Sequence, residues 1–158
     1  MAPDVLIVLG SKSDAEVGNK ARSILKEFGV DHEMIVSSAH RTPEDLRQIV
    51  QASPAKVFIA VAGLSAALPG VIAANTTRPV IGVPVSGKVN LDAILSVTQM
   101  PPGVPVAAVG LDRGENAALL AIEMLALSDP VLTRKLQDHR GAMRKWVHED
   151  SKSLGAEP

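Results

Sequence analysis

The sequence predicts a doubly wound α/β domain built on a parallel sheet. Three observations carry that prediction: short apolar runs without polar alternation, helical patterns between them, and helix starts marked just behind the strands. Val5–Leu9 (VLIVL) is an unbroken run rich in β-branched residues that ends at Gly10. Runs of this kind suit strands covered on both faces. Glu33–Val36, Lys56–Val61, Pro79–Val83 and Val104–Val109 read as further strands. Asp14–Phe28, Pro43–Ala52, Pro69–Asn75 and Leu91–Val97 lie between them and read as helices. Strand–helix alternation implies a parallel sheet with right-handed crossovers. Ser13 and Glu16 match the S-x-x-E capping box, and Thr42 is a candidate N-cap with Pro43 at the first helical position. Both caps follow strands and so fall at the sheet's carboxyl edge, where open α/β sheets carry their ligand sites.

Two later segments extend the pattern. Asn116–Leu127 (NAALLAIEMLAL) is apolar nearly all round, with Glu123 its only charge. A helix like that is buried on several sides, which points to contacts between subunits. A last, extended helix is expected from about Pro130 to Val147, with Leu132, Leu136, Met143 and Val147 at helical spacing and Trp146 near its end. The tail after Asp150 is expected to be loose. No linker, repeat or low-complexity segment divides the chain, so residues 1–158 are expected to form a single domain.

Composition narrows the function. The chain has 158 residues, 46% hydrophobic and 21% charged, enough apolar content for a sizeable core. Phe28, Phe58 and Trp146 are the only aromatic residues, so the core is aliphatic and stacking platforms for single-stranded nucleic acid are lacking. A net charge of −1 argues against a binder of nucleic-acid backbones. The absence of cysteine excludes disulfides, thiolate nucleophiles and cysteine-ligated metals. No two histidines have metal-ligand spacing, and neither a metal nor an organic cofactor is expected. Val57–Ala74 holds 18 residues without formal charge, the lower limit for a membrane span. Gly63, Ser65 and Pro69–Gly70 interrupt it, so a strand, a loop and a helix start are expected instead. No basic segment precedes an apolar run at the N-terminus, and no secretory signal is expected.

Three segments could carry chemistry. Gly10-Ser11-Lys12-Ser13-Asp14 follows the first strand and opens the first helix. Backbone N–H groups, the helix dipole and the hydroxyls of Ser11 and Ser13 suit an anion, and Asp14 could accept from a sugar hydroxyl. A simple capped turn would look the same. The segment is neither a dinucleotide fingerprint nor a P-loop. Ser37-Ser38-Ala39-His40-Arg41-Thr42-Pro43 follows the second strand. Arg41 can clamp a phosphate bidentately, and the imidazole of His40 suits proton transfer near neutral pH. His32, His139 and His148 fall on a strand or the last helix, where packing or surface roles are expected. In Ala62-Gly63-Leu64-Ser65-Ala66-Ala67-Leu68, small residues after the third strand let a ligand approach the backbone, whose N–H groups could hold a carboxylate. Gln99-Met100-Pro101-Pro102-Gly103 reads as a rigid turn before the fifth strand. Nothing matches a Ser-His-Asp triad or a nucleophile elbow.

Taken in order, GSKSD, SAHRTPE, AGLSAALPG, VIGVPV, QMPPGVPVAAV and NAALLA resemble the PurE family of de novo purine biosynthesis, over nearly the whole chain. The resemblance implies a flavodoxin-like, three-layer fold in a cytoplasmic homo-oligomer, an octamer, with C-terminal helices reaching neighbouring subunits. It implies an N5-carboxyaminoimidazole ribonucleotide mutase. That enzyme moves a carboxyl group from the exocyclic nitrogen to C4 of the imidazole, without metal or cofactor, on a route that gives IMP. The family's other branch, aminoimidazole ribonucleotide carboxylase, is the alternative and uses CO2 directly. By the same resemblance Ser11, Asp14 and Arg41 fall on ribonucleotide-binding positions, with Gly10, Ser13 and Ser38 beside them. His40 falls on the general acid/base at C4. Gly63, Ser65, Ala66 and Leu68 belong to the loop that holds the transferred CO2 or carboxylate.

One departure from the mutase pattern, G-A-G-G-A-A-H-L-P-G, matters for the chemistry: Ala67 stands where that pattern has histidine. The carboxylase branch, A-G-R-S-N, also lacks that histidine. Ser65 matches its serine, whereas Leu64 and Ala66 do not match its Arg and Asn. Arg41, the LPG triplet and QMP follow the mutase branch. A non-catalytic ribonucleotide-binding homologue is a third reading, against which the intact His40 speaks. A flavin-based electron carrier is disfavoured, since no Trp or Tyr sits in any of these loops.

Overall fold

The computed structural model describes residues 2–155. The chain divides into two compact units, Met1–Ile122 and Glu123–Pro158. The first holds a five-stranded parallel sheet in the order β2-β1-β3-β4-β5, with β1 Val5–Leu9, β2 His32–Val36, β3 Val57–Ala62, β4 Val80–Pro84 and β5 Ala107–Ala108. This is the flavodoxin-like order, in which the winding reverses between β1 and β3. Helices α1 (Ala15–Phe28), α2 (Pro43–Ala52), α3 (Leu68–Ala73) and α4 (Asn90–Thr98) connect the strands. Helix α5 (Gly114–Ala126) passes from the first unit into the second, which also contains α6 (Pro130–Ser153).

The unbroken apolar runs are explained by cover on both faces. β1, β3 and β4 are buried at every position. On one face Leu6, Val8, Phe58 and Ala60 pack with Leu46 and Val50 of α2, Ile72 of α3 and Val97 of α4. On the other, Gly18 of α1 lies so close to Leu9 and Met34 that a Cβ there would stand 2.6 Å from a Leu9 methyl. Gly114 brings the start of α5 against the backbone of α1 at Val17 and Ala21. Edge strand β2 is only partly covered, and Val36 is exposed.

Several expected elements shift. The fifth strand shrinks to two residues, because Pro105 has no N–H to give a ladder and Gly103 turns the chain at φ +96°. The capping box at the first helix is Ser11 with Asp14, in place of Ser13 with Glu16. The chain enters α1 through a 3-10 turn, Lys12–Asp14, which moves the cap back two residues, and Glu16 instead faces Lys20 at 3.9 Å. Thr42 does stand at the N-cap of α2 with Pro43 behind it, but its hydroxyl makes no cap bond. It accepts from the Ser38 amide at 3.1 Å and lies 3.3 Å from the Ser38 carbonyl.

Arg78, in the turn before β4, locks the end of α2. Its Nη1 donates to the Ser53 carbonyl at 2.6 Å and to that of Ala55, and Nη2 reaches the Val50 carbonyl at 3.4 Å. The guanidinium also sits 5.2 Å above the Phe58 ring. Free carbonyls at a helix C-terminus are thus met by a cation, as the dipole favours. Arg78→Ala is expected to cost about 2–3 kcal/mol, from hydrogen bonds to a charged group and the carbonyls left unmet. Denaturant unfolding should show a lower midpoint at unchanged slope.

In the second unit α6 continues to Ser153, beyond the expected end at Val147, and residues 156–158 of the tail lie outside the described residues. Its N-cap is Asp129, whose carboxylate accepts from the Val131 and Leu132 amides at 2.8 and 3.2 Å. Leu132 is buried, while Trp146 is 58% and Leu127 90% exposed. No helix among the described residues is long and apolar enough to cross a membrane.

Candidate active site

Where β1 and β3 part at the winding reversal, the loops that follow β1, β2 and β3 surround one open cavity of about 390 Å³. Backbone bonds carry the sheet up to its rim. The Gly10 amide donates to the Val61 carbonyl, and the Ser37 amide to that of Leu9, each at 2.9 Å. The three candidate segments, far apart in sequence, therefore meet at one edge.

The first wall is Gly10, Ser11, Ser13 and Asp14. The Ser11 amide donates to Asp14 Oδ2 at 2.9 Å, and the Ser13 hydroxyl lies 3.4 Å from Asp14 Oδ1. Asp14 is only 6% exposed, and burial pushes its carboxyl above the ordinary value of 3.8. The Ser11 amide, the Ser13 hydroxyl and the Arg41 charge pull the other way, in that order. A raised folded-state value means that ionisation favours the unfolded chain. The resulting loss of stability is absent below pH 3.8 and develops as pH rises through the folded value. Asp14→Asn, which removes the charge and keeps an acceptor for Ser11, should gain melting temperature relative to the unaltered chain across that window. A stability difference that stays flat with pH would show that burial of the charge is not what Asp14 pays for.

The second wall is Ser38, Ala39, His40 and Arg41. The Arg41 side chain turns back across the sheet edge, and its Nη2 donates to the Gly10 carbonyl at 2.9 Å while Nε donates to the Ser38 hydroxyl at 3.2 Å. His40 is exposed at the rim, and among the described residues none holds its imidazole in a hydrogen bond. His32, by contrast, sits on β2 with Nδ1 2.7 Å from the Val30 carbonyl.

The third wall is Ala62, Gly63, Leu64, Ala66, Ala67 and Leu68, without a polar side chain. Ser65 does not line the cavity: it is exposed, at φ 63°, and Ala66 follows at φ 37°. Two successive non-glycine residues with positive φ are costly and are held here by the Ala66 amide, which donates to the Gly63 carbonyl at 2.6 Å. Ala39 and Ala62, which belong to the candidate segments but were given no role of their own, also line the cavity. Their methyl groups give no chemical signal, and only the register of the strand ends places them there. Among the described residues no group of three or more His, Asp or Glu side chains is placed to hold a metal ion.

One cavity thus combines a hydroxyl- and amide-lined turn, a guanidinium, a free imidazole and an aliphatic wall. The family model described as AIR carboxylase matches residues 4–146. The chain belongs to that family. Relatives of the AIR carboxylase family include the N5-carboxyaminoimidazole ribonucleotide mutase of Methanocaldococcus jannaschii, 56% identical over 151 residues that cover 95% of this chain and 96% of that one. The enzyme of the same name from Pyrococcus abyssi is 49% identical, covering 90% of this chain and 85% of its own. Among solved structures, Treponema denticola PurE superposes with a TM-score of 0.88 at 30% identity, covering 96% of this chain and 98% of that one. Its PurE2-S38D counterpart gives 0.90 at 30% identity, covering 99% and 100%.

Proposed function

We propose that the chain is an N5-carboxyaminoimidazole ribonucleotide mutase of purine biosynthesis, an isomerase that moves a carboxyl group from N5 to C4 of its substrate. The observation that carries this reading is the meeting of three matched segments, GSKSD, SAHRTP and the Ala62–Leu68 loop, around one cavity. The phosphate and ribose of the ribonucleotide lie against Ser11, Ser13, Asp14 and Arg41. Gly63, Ala66 and Leu68 face the migrating carboxyl group.

The N5–carboxyl bond breaks, N5 takes up a proton given by His40 and CO2 is released. C4 then attacks CO2, and the proton on C4 leaves to His40. Protons balance over the cycle, so a single shuttle suffices. Carbon dioxide is neutral and apolar, and the wall of Ala62, Leu64, Ala67 and Leu68 faces it with aliphatic side chains alone between the two steps. The enzyme needs no cofactor in this scheme and works in the cytoplasm. Exposed Leu127, Val131, Trp146 and Val147 in the second unit support self-association, as an octamer in this reading.

Ala67 favours a second reading, direct carboxylation of aminoimidazole ribonucleotide. At that position the wall offers a methyl group and no donor to a departing carboxylate. Steady-state rates with the carbamate substrate, set against aminoimidazole ribonucleotide plus bicarbonate, separate the two. The mutase reading expects the carbamate to be the better substrate by kcat/KM. A higher value with bicarbonate would transfer the assignment to the carboxylase, and a folded protein inert to both would remove it.

A further inference from the structure

Arg41 lies on the exposed rim, yet its guanidinium is already fixed on one side. A guanidinium has five N–H donors along defined edges. Nε–H and one Nη2–H form the lateral edge, and both are taken by the protein: Nε by the Ser38 hydroxyl at 3.2 Å, Nη2 by the Gly10 carbonyl at 2.9 Å. Ser38 also accepts from the Arg41 backbone amide at 3.2 Å, so one hydroxyl ties the guanidinium to the backbone of its own residue. The terminal edge, made of Nη1 and the second Nη2–H, has no protein partner among the described residues and is left for a ligand.

We propose that Ser38 is a positioning residue, which presents the terminal edge of Arg41 to the phosphate of the ribonucleotide. This rests on the proposed ribonucleotide reading of the cavity. An unrestrained arginine has many rotamers and loses that freedom when it clamps an anion. Ser38 removes much of the loss beforehand, so its contribution is to binding and falls on ground and transition states alike. Its own position is fixed by Thr42, whose hydroxyl accepts from the Ser38 amide at 3.1 Å. That gives the otherwise unexplained Thr42 side chain, which caps no helix, a place in the same arrangement.

The test is a double-mutant cycle on the full chain. Ser38→Ala is expected to raise KM about tenfold with kcat changed less than about twofold. It should raise the Kd of ribose 5-phosphate, titrated directly by calorimetry, by the same factor, and Ser38→Thr should restore both. In an Arg41→Ala background, Ser38→Ala should have no further effect on that Kd. Equal effects in both backgrounds would overturn the proposal, because Ser38 would then act without Arg41; an unchanged Kd in Ser38→Ala would overturn it as well. Melting temperatures separate these outcomes from misfolding, with Ser38→Thr as the folded reference. Because the cycle reads binding alone, coupling between Ser38 and Arg41 in a chain that turns over neither substrate would leave the positioning role standing and remove the reaction assigned above.

Discussion

His40→Asn is expected to lower turnover about 100- to 10,000-fold, the range that a positioned general acid/base supplies. Ribose 5-phosphate affinity should stay within a few-fold. The reasoning starts from placement. His40 lines the same cavity as Arg41 and the aliphatic wall, while the groups assigned to phosphate and ribose lie on the β1 turn and on Arg41. Asparagine keeps a polar side chain of similar reach but cannot take up a proton near neutral pH. Since no side chain among the described residues holds the imidazole in a hydrogen bond, its loss leaves no buried partner unmet, and the melting temperature should hold. Single-turnover rates and calorimetric titration of the variant separate the two quantities. Turnover that survives the change would assign the proton shuttle elsewhere.

Gly114→Ala is expected to be the most destabilising single methyl group in the first unit, at about 3 kcal/mol or more. A Cβ at Gly114 would run into the Val17 carbonyl oxygen and come within 3.2 Å of the Ala21 nitrogen. Those atoms belong to the backbone of α1, which cannot give way as a flexible side chain would. Helix α5 would have to move off α1, uncovering Ala117, Ala118 and Ala121, all fully buried. Gly141 supplies the control. It lies within α6 with nothing near its would-be Cβ, so Gly141→Ala should be neutral or gain up to about 1 kcal/mol from helix propensity. Equal losses at the two positions would show that the α1–α5 approach is not what Gly114 protects.

The strands and helices around the cavity were legible in the sequence wherever burial on both faces left an unbroken apolar run, as in VLIVL, or where Pro43 marked a helix start. The candidate residues that line the cavity were legible because they sit directly behind strands, where side-chain chemistry is not needed for the core. Legibility failed where backbone chemistry decides. The 3-10 entry into α1 moved the capping box from Ser13 to Ser11, and Pro105 cut the fifth strand to Ala107–Ala108. Neither a second capping pattern nor a lone proline ranks its competitors by sequence alone. Ser65 fell outside the cavity for a related reason: its positive φ turns it outward, and no residue type announces that turn where a glycine is absent. Asn116–Leu127 looked buried all round, yet Leu127 at its end is 90% exposed in the single chain. Apolar character tells that a surface must be covered and does not say by what.

The scarcity of aromatic residues has an optical consequence. Trp146 is the only tryptophan, and the chain has no tyrosine, so its intrinsic fluorescence comes almost wholly from one indole on α6. That indole is 58% exposed and belongs to the second unit, whereas the cavity is lined entirely by residues of the first. Emission from this protein is therefore a gauge of what surrounds the C-terminal helix: red-shifted while the indole meets water, blue-shifted once another surface covers it. A dilution series followed by emission wavelength alone reads association without any label.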